Sequence, residues 1–161
     1  MTISLLQFFL LLLLFVTAYQ DFKYRAIWWG LIPLLTIAIG VLGFQELGHY
    51  LWRFWLVNGL FFGLQLLVLT IYFSLKSKQV INITNRQLGL GDILFFIPLS
   101  ALFSLRNLIV FLLFVLLTAI ITAFLLPKHR QNIPLAGIFS VGLIIVLGLE
   151  WLSIVEVNRF F

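Results

Sequence analysis

Long apolar runs separated by short polar loops fill this chain from end to end. Each run is close to the 20 or so residues that an α-helix needs to cross a bilayer. The pattern predicts an all-α protein with about six transmembrane helices, folded as a single domain over residues 1–161. With limits set to within about 2–4 residues, the predicted spans are 3–20, 27–44, 54–75, 88–105, 107–126 and 134–152.

The composition agrees with a membrane protein and excludes two other classes. Hydrophobic residues make up 63% of the chain and charged residues only 9%, whereas a soluble domain is about one quarter charged. A disordered chain needs low hydrophobicity. The net charge of +5 is spread over the loops, which is typical of lipid-facing flanks, so no nucleic-acid partner is expected. The chain has no cysteine, so it can form neither disulfides nor thiolate metal sites.

The basic residues predict the orientation of the spans, because cytoplasmic loops carry an excess of Lys and Arg. One side of the predicted topology holds Arg53, Arg106 and Arg159. The first, third and fifth loops hold Lys23, Arg25, Lys76, Lys78, Arg86, Lys128 and Arg130. These odd-numbered loops are therefore predicted to be cytoplasmic, with both termini outside. No basic residue precedes the first run, so we expect this run to be retained rather than cleaved as a signal peptide.

Local features between the runs carry further expectations. Arg106 and Asn107 are predicted to form the tight hairpin that joins the fourth and fifth spans. The partial alternation of apolar residues over 80–84 predicts a short strand or a hairpin above the membrane. Ser100 and Ser104 have no base nearby, so we expect their hydroxyls to bond back to helix carbonyls.

Two aspartates stand out, because an ionisable side chain at the edge of a membrane-length run is costly and is functional by default. Asp92 follows Gly89-Leu90-Gly91 at the start of the fourth run, and Asp21 ends the first run. The predicted topology places both carboxylates at similar depth on the cytoplasmic side. Two simpler interpretations stay open: Asp92 as the N-cap of its helix, and Asp21 as an ordinary interfacial loop residue.

Two carboxyl groups that share one site can carry out peptide hydrolysis. They hold a single proton between them. The ionised group draws a proton from water, while the protonated group polarises the scissile carbonyl and then protonates the leaving amine. This chemistry requires no cofactor and no metal, and His49 and His129 fall on opposite sides of the predicted membrane, where they cannot share one.

Three stretches together carry a family resemblance. They are Asp21 with Lys23, Arg25 and Ile27 behind it; Gly89-Leu90-Gly91-Asp92 at the start of a middle span; and, more loosely, Ile133-Pro134-Leu135-Ala136 before the last span. In these stretches the chain resembles the type IV prepilin peptidases, in the short form that lacks a methylase domain. That family consists of intramembrane aspartyl proteases of the GxGD type, and the resemblance covers most of the chain.

The resemblance implies a function and a set of site residues. Asp21 and Asp92 would be the catalytic pair. The residues that would shape the site or bind substrate are Gly89, Gly91, Arg25 and Pro134. The expected reaction is cleavage of the leader of prepilin-like precursors at the cytoplasmic boundary of the bacterial inner membrane, without N-methylation. The expected partners are the precursor and the lipid bilayer, and the oligomeric state is left open.

Three departures from the family pattern keep an alternative open. Trp28 and Trp29 stand where the family usually has Pro and Asn, and Leu94 stands where a lysine often follows the Gly-x-Gly-Asp. The alternative function is a non-catalytic membrane scaffold or a small transporter subunit. In that case Asp92 would be a helix cap or an ion contact.

Overall fold

The chain is built from α-helices throughout the part that the structure, a computed structural model, describes: residues 5–78, 89–125 and 133–152. These ranges contain no strand, so the prediction of an all-α protein is confirmed. The helices are α1 (Leu5–Tyr24), α2 (Leu31–Leu47), α3 (Leu51–Ser77), α4 (Leu90–Ser100), α5 (Leu105–Leu125) and α6 (Leu135–Trp151). The short strand or hairpin predicted at 80–84 lies outside the described residues.

Within the described residues, three helical stretches are long and apolar enough to cross a membrane. They are α1, α5 and the continuous stretch Leu31–Ser77, in which a single 3-10 turn at Gly48–Tyr50 joins α2 to α3. The apolar helices α4 and α6 are shorter. The helices are therefore compatible with a membrane protein, while six spans and outward-facing termini stay predictions.

Helix α6 joins the two helices that carry the aspartates. It packs most extensively against α1 and also contacts α4 and α5, and α2 likewise contacts both α1 and α4. Aromatic rings fill the centre of the bundle: Phe95 stacks on Phe139 with 6.0 Å between ring centroids, and Phe103 stacks on Phe111 at 5.1 Å. Leu94 packs against this core from its edge.

Helix α4 is much shorter than the predicted span 88–105. Its 11 residues extend about 16 Å, roughly half of the 30 Å or so of a bilayer core. The turn that follows, 101–104, is lined by the buried residues Ala101, Leu102 and Phe103. The hairpin predicted at Arg106 and Asn107 is wrong, because both lie in the first turn of α5. Hydropathy could not reveal the turn at 101–104. Its buried residues are apolar, so they continue the apolar run of the helix before them.

A fully buried amide on α3 satisfies the backbone where α4 ends. The Asn58 Nδ2 atom donates to the carbonyls of Ser100 at 2.8 Å and of Phe103 at 2.7 Å. The last carbonyls of a helix have no intrahelical donor, and irregular backbone at membrane depth is tolerated only when it is buried and satisfied in this way. Asn58 therefore allows a half-length helix to end inside the bundle.

The two serines near this turn behave differently. The Ser100 hydroxyl donates to the carbonyl of Ile97 at 2.7 Å, as predicted. The buried Ser104 hydroxyl has no hydrogen-bond partner within the described residues, so the same prediction is wrong there. Ser104 lies in the turn itself, just before α5 begins, and it therefore lacks the preceding helical turn whose carbonyl it would need.

Candidate active site

Asp21 lies in the last turn of α1, which continues beyond the predicted limit at residue 20. Its side chain is only 6% exposed, and its Oδ2 atom accepts a hydrogen bond of 2.6 Å from the backbone N–H of Gly137. Arg25 ends the helix in the left-handed region, with a φ of 54°, and its N–H donates to the Asp21 carbonyl at 3.0 Å. The Arg25 charge also acts on the Asp21 carboxylate.

Asp92 is the third residue of α4, and Gly89 occupies the N-cap position. The interpretation of Asp92 as an N-cap is therefore wrong. Its carboxylate instead reaches back to the Gly89 backbone N–H, as an acid at the third helical position does in a capping box. Its Oδ1 atom also accepts a hydrogen bond of 2.9 Å from the backbone N–H of Ala136. Asp92 thus links the start of α4 to the start of α6.

The two carboxylates meet at the first turn of α6. Pro134 is the N-cap of this helix and is buried. The first amides of a helix have no intrahelical acceptor, so they can donate to other groups, and the helix dipole favours negative charge there. Here the consecutive amides of Ala136 and Gly137 donate to Asp92 and Asp21 respectively. The accepting oxygens consequently lie no more than about 10 Å apart, and both acids bind the same turn of α6.

The two glycines of the Gly-x-Gly-Asp stretch leave the start of α4 open. A Cβ atom added to Gly89 would lie 3.1 Å from Asp92 Oδ2, and one added to Gly91 would lie 3.4 Å from the Ile27 side chain. Gly89 is exposed and extended, with φ of −65° and ψ of 141°. Because Gly89 has no side chain, the approach to Asp92 is clear. Because Gly91 has none, the segment after α1 can pack against the start of α4.

The structure therefore gathers the residues singled out in the sequence at one end of the bundle. They come from the end of α1, the start of α4 and the start of α6, and they are Asp21, Arg25, Gly89, Gly91, Asp92 and Pro134. Their catalytic and substrate-binding roles stay predictions. The sequence reasoning missed the amide of Gly137, because a backbone donor leaves no mark on composition. A small residue two positions after the start of an apolar helix was the only available signal.

The departures from the family pattern lie beside this site. Trp28 and Trp29 are both exposed on the segment between α1 and α2. The Trp28 backbone N–H donates to the Gln20 side-chain oxygen at 2.9 Å, and its ring lies so close to Gly30 that an added Cβ would be 2.8 Å away. Gln20 and Gly30 thus fix the path of the chain at the position where the family has a proline.

No group of three potential ligands from His, Asp and Glu gathers within residues 5–78, 89–125 and 133–152. His49 lies in the 3-10 turn between α2 and α3, and His129 is outside the described ranges. Comparisons with protein-family models, with curated proteins and with solved structures give no match to this chain. The functional argument therefore rests on the geometry of the aspartates and on the motif resemblance.

Proposed function

We propose that this chain is an intramembrane aspartyl endopeptidase in which Asp21 and Asp92 act together on one peptide bond. The observation that carries the proposal is their convergence on the consecutive amides of Ala136 and Gly137. Both acids sit at the ends of apolar helices, where a carboxylate is costly and is retained for a function. If Asp92 served only to cap α4, there would be no need for a second acid beside it at the start of α6.

The proposed reaction is the water-mediated hydrolysis expected of a carboxyl pair. The ionised carboxylate takes a proton from water, and the water oxygen attacks the carbonyl carbon of the scissile bond. The protonated carboxyl donates its proton to the carbonyl oxygen, which gives a tetrahedral diol. The carboxyl that took its proton from water then passes this proton to the amide nitrogen, while the other, now ionised, carboxylate takes a proton from one diol hydroxyl. The C–N bond breaks, the amine and the acid leave, and the pair again holds one proton. The surrounding apolar bundle limits competing water and lowers the local dielectric, so the electrostatic interactions between the carboxyl pair and the reacting groups are stronger than in water.

The proposed substrate is a prepilin-like precursor in the bacterial inner membrane. Its apolar segment lies against the bundle, and its leader junction reaches the cytoplasmic end, next to Asp92. The motif resemblance supports this substrate class, and the exposed Gly89 with no side chain over Asp92 supports access by an extended backbone. The bound precursor and the bilayer would together enclose the site.

The direct test is cleavage by the purified protein. The detergent-solubilised chain is mixed with a synthetic precursor that contains a basic leader and an apolar segment, in the presence of a chelator. We expect one cut at the leader boundary, a mature product without an N-methyl group, and no loss of rate on chelation. Mass spectrometry of both fragments provides the measurement. A folded preparation that leaves several such precursors intact would instead favour the non-catalytic scaffold.

The cleavage rate should depend on pH as a bell-shaped curve. At low pH both carboxyl groups are protonated and no base remains, whereas at high pH both are ionised and no acid remains. The two apparent midpoints belong to the pair rather than to either aspartate. The measurement is the single-turnover rate across the acidic and neutral range, which isolates the chemical step. A flat profile under these conditions would contradict a mechanism that uses a shared proton.

A further inference from the structure

Gly137 lies in close contact with both Asp21 and the neighbouring Phe22. A Cβ atom added there would lie 3.2 Å from Asp21 Oδ2 and 3.2 Å from two ring atoms of Phe22. These distances are shorter than ordinary van der Waals contact, so either the carboxylate or the ring would have to move. The Gly137 N–H itself donates to the same Asp21 oxygen at 2.6 Å. Gly137 therefore affects Asp21 Oδ2 in two ways: it leaves room for this oxygen, and its N–H donates a hydrogen bond to it.

The neighbouring residue holds the other acid by its backbone alone. Ala136 is fully buried and donates its N–H to Asp92 Oδ1 at 2.9 Å. Because Ala136 and Gly137 are adjacent in one rigid helical turn, the spacing between their amides is fixed by backbone geometry. Two carboxylates bound to these amides acquire a fixed separation, which side-chain rotamers on α1 and α4 could not impose by themselves.

We propose that Gly137 is a positioning residue for the aspartate pair: its missing side chain admits Asp21 to the first turn of α6, where adjacent amides set the distance between the two acids. This inference rests on the proposed peptidase function and adds a residue to it. Within the described residues, the charge of Arg25 acts on Asp21 and the charge of Asp21 acts on Asp92.

The central test is the Gly137→Ala variant. We expect its kcat to fall by about 10- to 100-fold with little change in KM, since displacement of a catalytic group by a fraction of an ångström to an ångström costs up to about 10²-fold. The acidic limb of its pH–rate profile should move to higher pH, because a hydrogen bond to the ionised carboxylate is weakened. A normal kcat with an unchanged profile would overturn the inference.

Gly142→Ala is the matched control on the same helix. A Cβ atom there would lie 3.1 Å from Val115 and 3.2 Å from Phe111, so the crowding is similar but no carboxylate is involved. Both variants should be less stable than the wild type if crowding matters. Only Gly137→Ala should change the pH profile, and an equal change in Gly142→Ala would show a general packing effect instead.

A second variant separates the two contacts of Gly137. Phe22 is 43% exposed, so Phe22→Ala removes the ring at modest cost. In the double variant Phe22→Ala with Gly137→Ala, only the crowding against the Asp21 carboxylate is left. We expect the altered pH profile to persist. Recovery of the wild-type profile would mean that the ring, and not the carboxylate, had been displaced, and this would overturn the positioning role.

A measurement that needs no catalysis distinguishes this inference from the proposed function. We expect the difference in unfolding midpoint between wild type and Gly137→Ala to be largest at neutral pH and to shrink as pH falls, because the amide stabilises the ionised carboxylate. For Gly142→Ala the difference should not depend on pH. If the wild type cleaves nothing, the peptidase proposal fails, but this pH dependence still tests the contact; a pH-independent difference for both variants would overturn it.

Discussion

The variants Asp21→Asn and Asp92→Asn should each lower the single-turnover rate of precursor cleavage by about 10²- to 10⁴-fold, the usual contribution of a positioned acid or base. An asparagine keeps a side-chain oxygen that can still accept from the Gly137 or Ala136 amide. The fold and the contact with α6 are therefore preserved, while the group that exchanges a proton is removed. The purified variants are mixed in excess with a leader-bearing precursor, and the two forms of the precursor are separated on a gel at successive times to give the rate.

The design includes a control acid and a test of coupling. Glu46 lies in the last turn of α2, which approaches the end of α4 away from Asp92, as the proximity of Gly43 to the Ala101 carbonyl indicates. Glu46→Gln should leave the rate unchanged. The double variant of Asp21 and Asp92 should be no slower than either single variant, because residues that act as one unit are not additive. If a folded single variant cleaved at the wild-type rate, the shared mechanism would be wrong.

Replacement of Asn58 by leucine should destabilise the bundle by about 2–4 kcal/mol. The substitution keeps the branching and the number of side-chain heavy atoms but removes both hydrogen bonds to the turn after α4. Each buried group left unpaired costs about 1–3 kcal/mol. The Asn58 Oδ1 atom has no partner within the described residues, so its loss offsets a part of this cost. Loss of helical circular dichroism during titration with a denaturing detergent provides the measurement.

Gln65→Leu is the matched control for Asn58→Leu. Both positions are amides on α3 and lie two turns apart, but Gln65 is exposed whereas Asn58 is fully buried. Surface replacements of this kind usually change stability by no more than about 0.5 kcal/mol. Similar midpoints for the two leucine variants would indicate that the amide of Asn58 does not hold the end of α4.

The class of fold follows from the sequence because it depends on properties that each segment carries alone. The apolar runs predicted all six helices of the described residues, and α1, α2, α3, α5 and α6 overlap the predicted spans closely. The alternation of span directions predicted that Asp21 and Asp92 would face the same side. No knowledge of which helices touch is needed for either inference, since local hydropathy and chain direction are sufficient.

The length of α4 could not be predicted in this way. Hydropathy reflects the free energy of transferring a segment out of water, and it has the same value whether the residues are buried in lipid or in protein. The turn at 101–104 is apolar because α3 and the rest of the bundle cover it, so it extends the apolar run without extending the helix. The polar residue that makes this possible, Asn58, lies about 40 positions earlier in the chain, and only its hydrogen bonds reveal its role.

The sequence by itself determined that the chain forms apolar helices. It also predicted that Asp21, at the end of one helix, and Asp92, at the start of another, face the same side. Only the tertiary structure decided that these acids converge on the first turn of α6. The meeting point consists of backbone amides at 136 and 137, and every residue except proline has such an amide. Side-chain identity records helix propensity and burial, but the position of a backbone donor in space depends on how the helices pack.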